Sequence, residues 1–160
     1  MDNQPTKTTT VDLSKAFDLD ALDTVTASNA GAEFEIMNPA TKAKTGIFWT
    51  VLGMDSEVFQ GIVKDRSDDD NRAAAMAARA GEELPVRTAD QISARNVELL
   101  TACSTGWRTV VDGVSHPFIV LKGERLEFTV ANVSRVLRDF PQIRKQVDSA
   151  VGNLSLFIKG

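Results

Sequence analysis

Tyrosine is absent from this 160-residue chain, histidine and cysteine each occur once, and no apolar run is long. Each shortage excludes something. A membrane-spanning helix needs roughly 18 consecutive apolar residues, so no membrane partner is expected. Eight phenylalanines and two tryptophans are the only aromatics, too few among the basic residues for the stacking platforms that hold single-stranded nucleic acid. The net charge of −4 and a pI near 5.0 also oppose phosphate binding, which requires a basic face. A lone cysteine, Cys103, cannot close an internal disulfide and fits a reducing compartment. The first ten residues are polar and lack the apolar core of a signal peptide. A cytoplasmic protein is therefore expected.

Reactive constellations are scarce as well. His116 stands between Ser115 and Pro117, and adjacent side chains do not converge as a nucleophile and its oriented base must. Cys103 lies on an apolar helix face, where burial raises a thiol's pKa and makes it inert. Asp65, Asp68, Asp69 and Asp70 lack the alternate spacing, the glycine and the closing glutamate of a calcium loop. They read instead as caps and favourable charge at the start of an alanine-rich helix. No glycine-rich phosphate loop occurs. Lys42, Lys44, Arg135, Arg138, Arg144 and Lys145 read as solvated faces. No catalytic residue, cofactor or metal ligand is assigned, and no enzyme is expected.

What the chain does contain is clear apolar patterning. A hydrophobic content of 42% supports one domain with a real core. Glu33-Phe34-Glu35-Ile36 alternates with the period of a half-buried strand. Asn38-Pro39 breaks it, and Ile47 to Leu52 reads as a second strand. Upstream, Leu13, Phe17, Leu19 and Leu22 stand among Asp12, Asp18, Asp20 and Asp23. This pattern fits a short docking helix or a segment that orders only on a partner.

Asp55-Ser56 reads as the cap of a helix carrying Val58, Phe59, Ile62 and Val63. A separate alanine-rich helix over 72–81 has only Met76 to bury, so it should face solvent and end at Gly81. A helix from about Asp90 to Cys103 offers Ile92, Val97, Leu100 and Cys103 for burial. Trp107, Val110 and Val111 extend that apolar supply to the turn Asp112-Gly113, and residues 117–121 read as a short strand. Thr129 caps a helix burying Val130, Val133, Val136, Leu137 and Phe140. Asp139 caps the last helix, with Pro141 near its first position and a stripe of Ile143, Val147, Ala150, Val151, Leu154 and Phe157. The fold class is mainly α with a small β-hairpin (α+β), a compact helical domain behind a flexible N-terminal arm. The arm covers 1–30 and the domain 31–160, with the hairpin at 33–53 and mainly helix over 55–160.

Two groups of residues carry a resemblance. The first is Ile36-Met37-Asn38-Pro39-Ala40-Thr41, Thr45-Gly46-Ile47 and Gly53-Met54-Asp55-Ser56. The second is Thr105-Gly106-Trp107, Phe128-Thr129, Asn132, Leu137, Phe140-Pro141-x-Ile143 and Phe157. Together the chain resembles the tail assembly chaperones of long-tailed bacteriophages and prophages over most of residues 33–158. The first group is similar to that family's opening hairpin. The second is similar to its tryptophan-containing helix end, capped short helix and proline-led final helix. The alanine-rich middle and the first ten residues have no counterpart. Asn132 stands where a glutamate would complete a capping box.

The resemblance implies a non-catalytic factor of tail morphogenesis in the host bacterial cytoplasm. Its partners would be the tape-measure protein and the major tail tube protein, with self-association so that many copies line one client. The alternative is a structural virion component, such as a tail-completion or head–tail joining protein. Read from its residues alone, the final stripe from Ile143 to Phe157 is first core and alternatively a docking edge of Leu154, Leu156, Phe157 and Ile158. On the chaperone reading, contact surfaces are expected on the hairpin (Phe34, Phe48, Trp49) and the final helix (Val147, Leu154, Phe157, Ile158).

Overall fold

A computed structural model describes residues 12–158. The period-two segment folds as expected: β1 (Ala32–Met37) pairs antiparallel with β2 (Lys44–Val51). Asn38 Oδ1 accepts from the Ala40 and Thr41 amides, while Lys42 takes a positive φ of 61° to close the turn.

The chain is α+β, and its β part is larger than one hairpin. β3 (Ser104–Val111) pairs antiparallel with the inner side of β2, and β4 (Val114–His116) follows, giving one sheet in the order β1-β2-β3-β4. A separate hairpin, β5 (Phe118–Leu121) with β6 (Glu124–Glu127), comes next. Asp112-Gly113 and Lys122-Gly123 each have two consecutive positive φ angles. That conformation makes type I′ turns, whose twist matches the flanking strands. The helix stops at Cys103, as the sequence indicates, but the tryptophan-containing helix end that the resemblance implies is corrected: the β-branched residues Thr105, Thr109, Val110 and Val111 place Trp107 in a strand.

Six α-helices frame this sheet among the described residues. α1 (Thr24–Ala30) is capped by Asp23, and α2 (Glu57–Ala80) by Ser56. α3 (Ala89–Cys103) opens on a complete capping box of Thr88 and Gln91. α4 (Val130–Asp139) is capped by Thr129, as the sequence indicates. α5 (Pro141–Gly152) and α6 (Leu154–Phe157) divide what the sequence presents as one helix, because Asn153 leaves α5 and caps α6 through Ser155. The cap of α5 is Phe140, which offers no side-chain bond. Asp139 instead lies beside Arg135 and Arg138. Asn132, the residue that breaks the capping-box pattern, donates from its side chain to the Glu127 carbonyl and ties α4 to β6.

Three helices, α3, α4 and α5, pack together, with α5 against β1 and β2. The core is built from Ile36, Trp49, Val51 and Trp107 of the sheet, Val97, Leu100 and Cys103 of α3, Val133, Val136 and Leu137 of α4, and Val147 and Val151 of α5. Trp107 stands at its centre, edge-on to Trp49 at 5.1 Å and to Phe128 at 5.3 Å. Both indole N–H groups are satisfied: Trp49 donates to Ser104 Oγ and Trp107 to the Leu126 carbonyl.

The aspartate run is also placed differently. A single helix, about 36 Å long at 1.5 Å per residue, absorbs both segments read separately, so the aspartates lie in mid-helix and cap nothing. Asp68 pairs with Lys64, Asp69 with Arg72, and Asp70 with Arg87 and Arg95. No residue of α2 is buried. Polar bonds tether it to α3, including Arg66 donating to the Arg95 carbonyl and to Glu98. Within the expected arm, residues 24–30 form α1, whose Ser28 is fully buried. Residues 1–11 lie outside the described residues.

Candidate interaction surfaces

The two surfaces expected from the sequence largely cover each other. In the sheet register Phe34 faces Trp49 and Trp49 faces Trp107, so all three point to the helical side. α5 packs on that side and buries Val147 completely. Its Gln146 side chain accepts from the Met37 amide and donates to the Met37 carbonyl. That two-bond clamp occupies the open edge of β1, where unpaired strand groups would otherwise invite another chain. Phe157 is buried against the end of β2 and α1. The assignment of Trp49, Val147 and Phe157 as contact surface is therefore corrected: they are core. Phe34, Leu154 and Ile158 are half-buried.

Phe48 points to the other side of the sheet, where Arg108 covers it. The guanidinium lies 4.2 Å from the ring centroid and donates two bonds to Glu33, at 2.8 and 2.6 Å. This pairing holds the Glu33 carboxyl below the ordinary glutamate value, chiefly through the Arg108 hydrogen bonds, against a smaller opposing effect of burial. A depressed carboxylate pKa adds stability that is present above the unfolded value of about 4.3 and is lost as pH falls through the lower folded value. Glu33→Gln should therefore lower the urea midpoint at neutral pH, with the two proteins converging as the pH falls through the lowered Glu33 value. A gap that persists in acid would mean the pair acts through packing alone.

Apolar side chains facing solvent lie elsewhere. One set lines a groove of about 810 Å³ between α3 and α4, formed by Ala94, Ala102 and Val130 over the buried Val97, with Glu98 and Arg138 at its sides. Val130 is 75% exposed although the sequence assigns it to the core. It occupies the first helical position, off the buried stripe of Val133, Val136 and Leu137. Thr101 Oγ1, on the same groove, is buried without a hydrogen-bond partner among the described residues. A second cleft of similar volume lies where α2, the connection to α3 and the start of α3 meet, lined by Leu84, Val86 and Ile92. Val86 is 93% exposed and Ile92 58%, the latter against its expected burial. A third set is Leu13, Phe17, Leu19 and Leu22, all exposed. Of these sets only the third was visible as a pattern beforehand. Val130 reads as a core valine in the sequence, and Val86 belongs to no pattern there.

Two of the groups that could carry chemistry, Cys103 and His116, are placed apart in the fold. Burial pushes the Cys103 thiol up to about 11, so it stays protonated at neutral pH and is a poor nucleophile. His116 stacks against Phe118 at 5.3 Å. Among the described residues, no three His, Cys, Asp or Glu side chains converge as a metal site requires. No described helix is long and apolar enough to cross a membrane. No protein-family model matches the chain, and no curated protein or solved structure matches it.

Proposed function

We propose that the chain is a non-catalytic assembly chaperone of long-tailed bacteriophages or prophages. It holds the tape-measure protein and tail tube subunits during tail morphogenesis in the host bacterial cytoplasm. The supporting observation is the α3–α4 groove with Val130 standing open on it. Two helices flanking an apolar channel form a receptor for a third, amphipathic helix. Ser93, Ala94, Ala102 and Ser134 are small residues along that channel, which lets a client helix approach closely. A long helical client would offer many such segments. Shallow single-groove contacts exchange rapidly, while many copies along one client add their affinities.

The test is co-expression with candidate tape-measure and tube proteins. The wild-type chain should keep the tape-measure protein soluble and co-purify with it. Val130→Asp, at an exposed position, should leave the fold intact and weaken capture about tenfold or more, as expected when a charge is placed in an apolar contact. Mature virions should lack the chain. Its presence there at fixed stoichiometry would replace this reading with that of a structural virion component, and a tape-measure protein left insoluble would end it.

A further inference from the structure

Two surfaces of this molecule are complementary and do not meet within one copy. The segment Asp12–Asp23 consists of two short 3-10 turns, Leu13–Lys15 and Leu19–Leu22, leading into α1. Each begins at an aspartate whose carboxylate accepts from a nearby backbone amide: Asp12 from Ser14, Asp18 from Asp20, and Asp23 from Thr26 at the start of α1. These local bonds hold the backbone in a defined path while the apolar side chains turn outward. Phe17 is 71% exposed, and Leu13 and Leu19 more so. The segment carries four aspartates and one lysine. It is thus an ordered, acidic, apolar ribbon whose Leu13, Phe17, Leu19 and Leu22 stay exposed among the described residues.

The α2–α3 cleft has the opposite character. Its apolar lining of Ala73, Leu84, Val86 and Ile92 lies beside Arg87 and Arg95. Those two guanidiniums share one carboxylate, Asp70, so the cleft keeps an excess of positive charge. Glu82 and Glu83 stand outside its lining. The cleft also sits well away from the ribbon's anchor. α1 contacts α2, whose cap is Ser56, and Asp70 lies about 21 Å further along that helix at 1.5 Å per residue. The ribbon and the cleft of one copy both remain open to solvent.

We propose that the Asp12–Asp23 ribbon of one copy docks in the α2–α3 cleft of a second copy. Leu13, Phe17, Leu19 and Leu22 meet Leu84, Val86 and Ile92, and the ribbon's aspartates meet Arg87 and Arg95. Because the ribbon is already ordered by its own caps, docking sacrifices little conformational freedom. The contact is heterologous, so it propagates from copy to copy unless reciprocal exchange closes a dimer. This specifies a self-association that the chaperone reading calls for, yet it requires no client and can be tested without one.

Sedimentation velocity on the full chain across a concentration series is the experiment. The wild type should associate as concentration rises, more weakly as salt is added. A ribbon variant, Phe17→Ser with Leu19→Ser, and a cleft variant, Val86→Asp with Ile92→Asp, change exposed positions only. Each should keep its circular dichroism and remain monomeric. Mixed together they should form a one-to-one complex, since one supplies the intact cleft and the other the intact ribbon. Arg87→Glu should weaken self-association about tenfold, and pairing it with an Asp18→Arg, Asp20→Arg partner should recover that loss. A wild type that stays monomeric up to hundreds of micromolar overturns the proposal. So does association that survives both variants, or two variants that ignore each other when mixed. Client capture is measured separately, so failure here leaves the chaperone reading standing.

Discussion

Trp49→Ala is expected to destabilise the protein by about 3–5 kcal/mol, the range for emptying a buried aromatic site. The side chain is fully enclosed and meets Trp107 edge-on at 5.1 Å. Its N–H donates to Ser104 Oγ, which in turn donates to the Leu100 carbonyl where α3 gives way to β3. Truncation therefore opens a cavity between sheet and helices and takes away the donor that orients Ser104. Against a total stability of about 5–15 kcal/mol for a domain of this kind, that is a large fraction. Guanidinium unfolding followed by Trp107 fluorescence would measure it. Trp49→Phe should cost less, about 1–2 kcal/mol, mostly through the lost hydrogen bond. A loss below 1 kcal/mol for the alanine variant would mean that the core does not depend on this contact. The same substitution separates core from contact surface: Trp49→Ala should impair client capture only as far as it unfolds the chain. Val130→Asp should impair capture in a fully folded protein.

That separation explains why the sequence was legible in some places and misleading in others. Local rules held at most places where a local bond decides the outcome, the exception being Asp139, which pairs with Arg135 and Arg138 instead of capping the helix after it. Ser56, Thr129 and Gly81 all end or begin helices as their chemistry requires, and Asn38-Pro39 turns the first hairpin. They failed where partners are distant. Gly106 interrupts the chain after the third helix, but only pairing with β2 fifty-odd residues earlier makes the segment around Trp107 a strand. Asp70 looks like a cap because its cations come from far along the chain, Arg87 on the connection into α3 and Arg95 on α3 itself. The hairpin and the final helix each look like uncovered apolar surface when read alone. Their partner is the other one, joined by Gln146 on Met37 and by the Met54 amide on the Val151 carbonyl. Counting apolar residues shows how much must be buried, but not which faces will meet. The surfaces left open are those beside the core stripe, such as Val130, or on the connection into α3, such as Val86.

Gly53→Ala is the second substitution expected to do great damage, about 3 kcal/mol, at the upper end for overpacking a close-fitted interior. The glycine lies where β2 leaves the sheet for α2, and four connections converge there. Its amide donates to the Ser28 carbonyl of α1, and its carbonyl accepts from the Ser56 amide that opens α2. On either side, Leu52 donates to the Cys103 carbonyl and Met54 to that of Val151. A Cβ at residue 53 would overlap Ser28 Oγ, stand 2.8 Å from Ser28 Cβ and reach 3.1 Å from Phe157. Shortening the serine relieves only the first clash, because the Cβ of Ser28 is fixed to a buried helix. The strain must then move α1 and α6 away from the sheet end, so hydrogen exchange should quicken in those helices first. Ser28→Gly should restore more of the loss than Ser28→Ala, with a coupling of about 1 kcal/mol or more between the two sites. Gly61→Ala is the control: nothing lies within 4 Å of its added Cβ on exposed α2, and the change should stabilise the helix by up to about 1 kcal/mol. If Gly53→Ala unfolds at the wild-type midpoint, the junction is looser than these contacts require. The Gly53-Met54-Asp55-Ser56 motif would then need an explanation other than packing.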